Sequence, residues 1–171
     1  MDIKRWLRYL RRRYLMYRYP NLIIEHGAVI FGRFDVRGQG SITIERGCRL
    51  IDVSLHVQGA LHIGANGFLN GTSIVCMNSV IIGNDCLLSD AYITDTDFHN
   101  IEPELRHAPP SVKVVRPITI GRNVWIGDRG VVLKGSRIGD DAVVGSNAVV
   151  RGSIPPRSVC LGNPAQVVKQ L

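Results

Sequence analysis

Five histidines, four cysteines and a group of loop acids are the side chains here that could move a proton, attack a carbonyl or bind a metal. His99 and His107 stand in one segment, DTDFHNIEPELRHAPPSVKVVRPIT, with Asp95 and Asp97 just upstream of His99. A histidine near its ordinary pKa of about 6.5 can take the proton of a hydroxyl at neutral pH. The alternative is a solvated loop histidine; Asp95 and Asp97 could orient its ring or be ordinary turn-forming acids. Cys48, Cys76, Cys86 and Cys160 form no CxxC pair. That pattern argues against zinc and redox sites and for reduced, buried thiols.

The elements that must position these groups are legible in the spacing. Branched residues recur every six positions at Ile120, Ile126, Val132, Ile138, Val144 and Val150. Six fits neither the 3.6 of a helix nor the alternation of a strand; it fits a solenoid of short strands and tight corners. The phase extends back through starts at Ile24, Ile44, Ile63, Ile82, Ile120 and Ile138. Six residues after each start stand Ile30, Leu50, Leu69, Leu88, Ile126 and Val144, and twelve after stand Val36, His56, Val75, Thr94, Val132 and Val150. Four after each start the residue is small or modest, which accounts for Cys48 and Cys86 without chemistry. Eighteen residues make three faces, so about six triangular coils are expected. His56 and Thr94 occupy apolar positions in this phase, and a corner or a buried, hydrogen-bonded ring is the expectation for His56. His26 and His62 lie beside the phase and read as surface. One interval, Ile82 to Ile120, is too long and predicts a loop at about 95–119. The phase is expected to stop at Pro155 and Pro156, leaving a short closing segment over the end of the core.

Residues 1–20 differ from the rest. They predict a basic amphipathic helix ended by Pro20, ahead of a body spanning 21–171. Six of the seven net positive charges fall in residues 1–19. Ile3, Trp6, Leu7, Leu10, Tyr14 and Tyr17 share one side of this helix. Two expectations compete: the apolar side packs on the body or a neighbouring subunit with arginines in water, or it lies on anionic membrane. Nucleic-acid binding has little support, because the basic residues stop with the helix. No run of about 18 apolar residues and no signal-peptide core is present, which reads as a cytoplasmic protein, peripheral at the membrane's inner face if the helix binds lipid.

The stretches PITIGRNVWIG, IGDDAVVGSNAVV and IPPRSVCLGNPAQVV resemble the hexapeptide-repeat acyltransferases, and TDTDFHN resembles the sugar O-acetyltransferases among them. The resemblance implies an all-β, left-handed parallel β-helix, a homotrimer with sites between adjacent subunits, and acetyl-CoA as acyl donor with no metal. It places the catalytic histidine at His99, seventeen residues after Ile82. It implies that Asn70 contacts the acceptor or the developing oxyanion, with a left-handed corner asparagine as the alternative. Asp95 and Asp97 would orient the base or bind sugar hydroxyls. Positions matching cofactor contacts are Asp128, Ser146, Arg151, Gly152 and Lys169, with Trp125 at a corner beside the groove. Gln166 stands where the family often has a basic residue. The implied activity is direct acetyl transfer to a hydroxyl of a sugar or lipid-linked glycan in polysaccharide biosynthesis. N-acetylation of an amino sugar, a non-catalytic assembly module and a γ-class carbonic anhydrase remain alternatives. The last lacks its pair of histidines five apart.

Overall fold

The computed structural model describes residues 3–109 and 114–171, with only the backbone of Lys4 and Arg5. Asp2, at the start of the expected helix, and residues 110–113 of the inserted segment lie outside that description.

The body is the expected left-handed parallel β-helix, with three faces. The first face stacks β1 (Leu22–Ile24), β3 (Ser41–Ile44), β5 (Ala60–Ile63), β8 (Ser79–Ile82), β11 (Ile118–Ile120), β14 (Arg137–Ile138) and β17 (Ser153–Ile154), all parallel. The second holds the first halves of β2 (Val29–Arg37) and β4 (Arg49–Val57), then β6 (Phe68–Asn70), β9 (Leu87–Ser89), β12 (Trp125–Ile126), β15 (Val143–Val144) and β18 (Ser158–Leu161). The third holds the second halves of β2 and β4, then β7 (Ser73–Cys76), β10 (Tyr92–Thr94), β13 (Val131–Val132) and β16 (Val149–Val150).

Each coil start sits directly on its equivalent in the next coil, and all are buried. Each such side chain removed from water contributes about 1.5–3 kcal/mol, which is why the branched residues set the phase. The corner after the first face is built the same way in every coil. Gly27, Gly47, Asn66, Asp85, Asn123 and Asp141 all have positive φ, a region that glycine, asparagine and aspartate tolerate best. Their side chains also tie the coils: Asn66 Nδ2 donates to Asp85 Oδ1 at 3.0 Å and Asn123 Nδ2 to Asp141 Oδ1 at 2.8 Å. The next residue points inward and is buried at each corner, Cys48 and Cys86 included.

The third face departs from the expected phase. Leu55, Ile74 and Ile93 point inward, not His56, Val75 and Thr94. The corner between the second and third faces is one residue shorter in these three coils. Left-handed residues there, Asp52, Gly71 and Asp90, make that tighter turn. A one-residue slip moves every following side chain to the opposite side of its strand. His56 is therefore an outward, half-buried residue of β4 rather than a buried ring.

The repeat also continues past Val150. Ile154 joins the first face and Cys160 the second, opposite Val144. The chain then reverses into β19 (Gln166–Gln170), which pairs antiparallel with β18 and closes that end. At the other end α1 (Ile3–Arg18) lies against β1 and β2. It meets them through Leu15, Met16 and its arginines, so the expectation that its apolar side packs on the body is reversed.

Candidate active site

The long loop leaves the solenoid after Thr94 and returns at Ile118, at the corner between the third and first faces. Asp95 is its foundation. The residue is fully buried, and its carboxylate accepts hydrogen bonds from the backbone N–H groups of Met77 (2.7 Å), Asn78 (2.7 Å) and Ser79 (3.0 Å). These three belong to the same corner one coil earlier. Asp95 was expected to orient the base or touch sugar; both of its oxygens are instead engaged by backbone. A buried carboxylate needs such donors to offset its desolvation.

Outward from that anchor the loop is fastened again at Thr96, Asp97 and Asn100. Thr96 forms an antiparallel bridge with Val115, and the Asp97 N–H donates to the Val114 carbonyl at 2.9 Å. Asp97 also pairs through Oδ2 with Lys134 Nζ, a side chain that is only 18% exposed and comes from the matching corner of the next coil. Buried Asn100 clamps the far part of the loop, its Nδ2 donating to the carbonyls of Leu105 (2.8 Å), Ala108 (3.3 Å) and Pro109 (3.1 Å).

His99 lies between these fastenings. Its backbone N–H donates to the Asp97 carbonyl at 2.8 Å, and its ring is exposed, with no hydrogen bond or ion pair among the described residues. It is an exposed imidazole on a held loop. Asp97 does not touch the imidazole; its carboxylate is turned to Lys134. His107 is exposed further along. Spacing did not reveal Lys134 or Asn100 as parts of this site. Lys134 lies two residues past an inward valine, but only the folded return of the loop brings Asp97 to it.

Asn70 is the last residue of β6 and is half-buried. The left-handed residue at that corner is Gly71, at φ +61°, so the corner-asparagine alternative does not describe it. Its carbonyl accepts from the Thr72 hydroxyl (3.2 Å) and the Asp90 N–H (2.7 Å). Asn70 stands at the corner between the second and third faces. The loop carrying His99 springs from the opposite edge of the third face, so this single chain does not bring the two together.

The expected cofactor residues divide the same way. Asp128 and Ser146 are exposed and stack in successive coils at the Asn70 corner, where the Asn147 N–H donates to the Asp128 carbonyl at 2.9 Å. The Asp128 carboxylate is held by Arg129 at 3.0 Å. Arg151 is exposed at the other corner, one coil on from Leu133 in register. Gly152 follows it at φ +104°, with open space where a side chain would stand, so an extended ligand can approach the backbone there. Lys169 is on β19, exposed and opposite Val159. Trp125 is not at a corner. It is 52% exposed on the outside of the second face, between Leu87 and Val143.

The four cysteines take no part. All are buried, and burial pushes Cys48 and Cys86 up to about 11 and Cys76 up to about 12. Such thiols are poor nucleophiles. Among the described residues no group of three His, Cys, Asp or Glu side chains could hold a metal.

Comparison with known proteins agrees with this architecture. The family of bacterial transferase hexapeptide repeats (six repeats) matches residues 117–152. The chain is 35% identical over 160 residues to WbbJ of Escherichia coli (strain K12), named for lipopolysaccharide biosynthesis O-acetyl transfer, a match covering 90% of this chain and 77% of that protein. It is 36% identical over 112 residues to the galactoside O-acetyltransferase of the same organism, covering 65% of this chain and 54% of the relative. A solved galactoside acetyltransferase in complex with coenzyme A superposes with a TM-score of 0.59 at 26% identity, covering 99% of this chain and 84% of that one.

Proposed function

The chain belongs to the hexapeptide-repeat acyltransferases, and from that premise we propose that it transfers an acetyl group from acetyl-CoA directly to a hydroxyl of a sugar or lipid-linked glycan, with His99 as general base. The observation that carries this reading is the exposed, unengaged imidazole of His99 on a loop anchored at Asp95, Asp97 and Asn100. A base must be reachable by its substrate yet held in place, and these contacts supply both.

In the proposed reaction His99 takes the hydroxyl proton as the acceptor oxygen bonds to the thioester carbonyl carbon. The Asn70 amide donates to the oxygen that becomes negative. The carbon–sulfur bond then breaks, and the imidazolium returns its proton to the departing sulfur. Acetylated glycan and free CoA thiol result, with no acyl-enzyme. Cys48, Cys76, Cys86 and Cys160 are buried and hold their protons, in keeping with direct transfer.

The donor would lie along the third face, with its pantetheine arm over Gly152 and its phosphates near Arg151 and Lys169. Asp97 would act on the base only through the loop it fastens.

The separation of Asn70 and His99 within one chain favours a site completed by a second copy, as in a homotrimer. Phe68, Leu87 and Trp125 form an outward apolar strip on the second face that suits such a contact. Both relatives are named for O-acetyl transfer, which supports a hydroxyl acceptor over an amine. We place the reaction in the cytoplasm.

Thiol release from acetyl-CoA against a panel of sugars and glycan lipids tests this reading. His99→Ala should lower kcat by about 10²–10⁴-fold with KM for acetyl-CoA little changed. Undiminished turnover in that variant would sink the base assignment.

A further inference from the structure

The N-terminal helix meets the solenoid with the side that would ordinarily face water. Leu15 is buried against the body and Met16 half-buried, and between them lie arginine stems. Arg11 donates to the Gly32 carbonyl, Arg12 donates to the Ile24 carbonyl at 3.5 Å, and the Arg8 guanidinium lies 5.6 Å from the centre of the Phe31 ring. At 100° per residue Arg8, Arg12, Leu15 and Met16 stand away from Ile3, Trp6, Leu10, Tyr14 and Tyr17, with Arg11 and Leu7 where the two sides meet. That apolar side is open: Ile3 is 74% exposed, Tyr14 62% and Tyr17 87%. Leu7 carries it on to Ile30 and Phe31 of β2. Large apolar residues gathered on one side of a helix are not the scattered surface hydrophobes of an ordinary protein.

Charge selects the occupant. No helix arginine forms an ion pair among the described residues, so the body does not neutralise them. Arg13 and Arg18 are exposed and flank the apolar side at its two edges. Beyond residue 19 the chain carries a net charge of only +1, so a second copy offers no net acidic surface to match. Two such helix faces brought together would also add their positive charges. An anionic bilayer satisfies both requirements. Trp6, Leu10 and Tyr14 would enter the boundary between headgroups and acyl chains, with the arginines level with lipid phosphates. At 16 residues, with arginines throughout, α1 cannot cross.

We propose that α1 is a membrane-docking element that seats the protein on an anionic lipid surface, apolar side down, with the solenoid held above it. This rests on the helix alone and does not depend on the acceptor.

The test is sedimentation of the full-length protein with vesicles of phosphatidylcholine, alone or with about one third phosphatidylglycerol. The wild type should bind the anionic vesicles at least about tenfold more tightly than the neutral ones, and raised salt should weaken binding. Combining Trp6→Ser, Leu10→Ser and Tyr14→Ser should abolish binding; Arg13→Glu with Arg18→Glu should reduce it. All five positions are exposed, so both variants should fold, and thiol release with a soluble sugar should be unchanged. Equal pelleting of wild type and the triple serine variant overturns the proposal. So does a triple variant of lower oligomeric mass when the wild type ignores vesicles, because a second copy would then cover this face.

Discussion

A fully buried carboxylate that accepts three backbone hydrogen bonds is the strongest single contact at the base of the loop. In Asp95→Ala the N–H groups of Met77, Asn78 and Ser79 would lose their partner at a part-buried corner. A buried donor left unpaired costs about 1–3 kcal/mol, so chemical denaturation should show a loss of about that size. Asp95→Asn keeps one acceptor oxygen and should fall between the two proteins. Lys134 acts one step further from the chemistry, as a positioning residue for the loop through Asp97. Lys134→Met keeps the stem and removes the ion pair. It should lower kcat by about tenfold while KM for acetyl-CoA stays near wild type, because the loop carries the proposed base and not the proposed donor contacts. Lys134→Arg should recover much of the loss. A Lys134→Met enzyme with wild-type kcat would show that the loop holds its shape without this contact. The thiols set a limit at high pH. Burial raises Cys48, Cys76 and Cys86 above the ordinary 9.0, so the folded state keeps protons that the unfolded chain releases. Their contribution is fully present below pH 9.0 and is lost as pH rises toward 11–12. Urea midpoints should therefore drop between pH 8 and pH 10.5, about one unit below and one and a half above the ordinary 9.0. Cys76→Ala should flatten that drop.

At the scale of elements, the strands are so short that corners decide everything. A strand of two to four residues has only one or two inward side chains, and the length of the preceding corner chooses which. The shorter second corner puts Ile93 inside and Thr94 at the loop's root. Ile93→Ala should therefore cost about 2–5 kcal/mol, as a buried truncation does, whereas Val75→Ala, an outward change, should cost well under that. Thermal or urea melts of the two variants distinguish the observed register from the unbroken twelve-residue phase. The helix teaches a related point. An amphipathic pattern shows that two sides differ, but not which one the body will take. Here Leu15 and the arginine stems took the body, through carbonyl groups at the open end of the first coil.

At the scale of the molecule, one chain keeps the two groups of proposed site residues apart. Asn70 with Asp128 and Ser146 lies at one corner, and the His99 loop with Arg151 and Gly152 at another. If the proposed trimer joins them, inactive Asn70→Ala and His99→Ala proteins, unfolded and refolded together in equal amounts, should regain about a quarter of wild-type turnover, because about one junction in four pairs two intact halves. No recovery on mixing would mean that Asn70 and His99 serve within one subunit, or that Asn70 has no catalytic part.

The sequence by itself determined the solenoid, its three-faced coils, the place of the long insertion and the burial of Cys48 and Cys86. These follow from a period, and a period is local: each coil repeats the same packing problem, so the same residue types recur. It also singled out His99, through a resemblance carried by the loop motif. Only the tertiary structure decided which acid does what in that loop. Asp95 goes to backbone donors one coil back and Asp97 to Lys134 one coil on, because the loop's return path sets their neighbours and no spacing encodes it. The structure likewise decided the side of α1 that faces the body and the registers of Leu55, Ile74 and Ile93. Each of these depends on a partner distant in sequence, and a one-residue change in a corner is enough to exchange inside for outside.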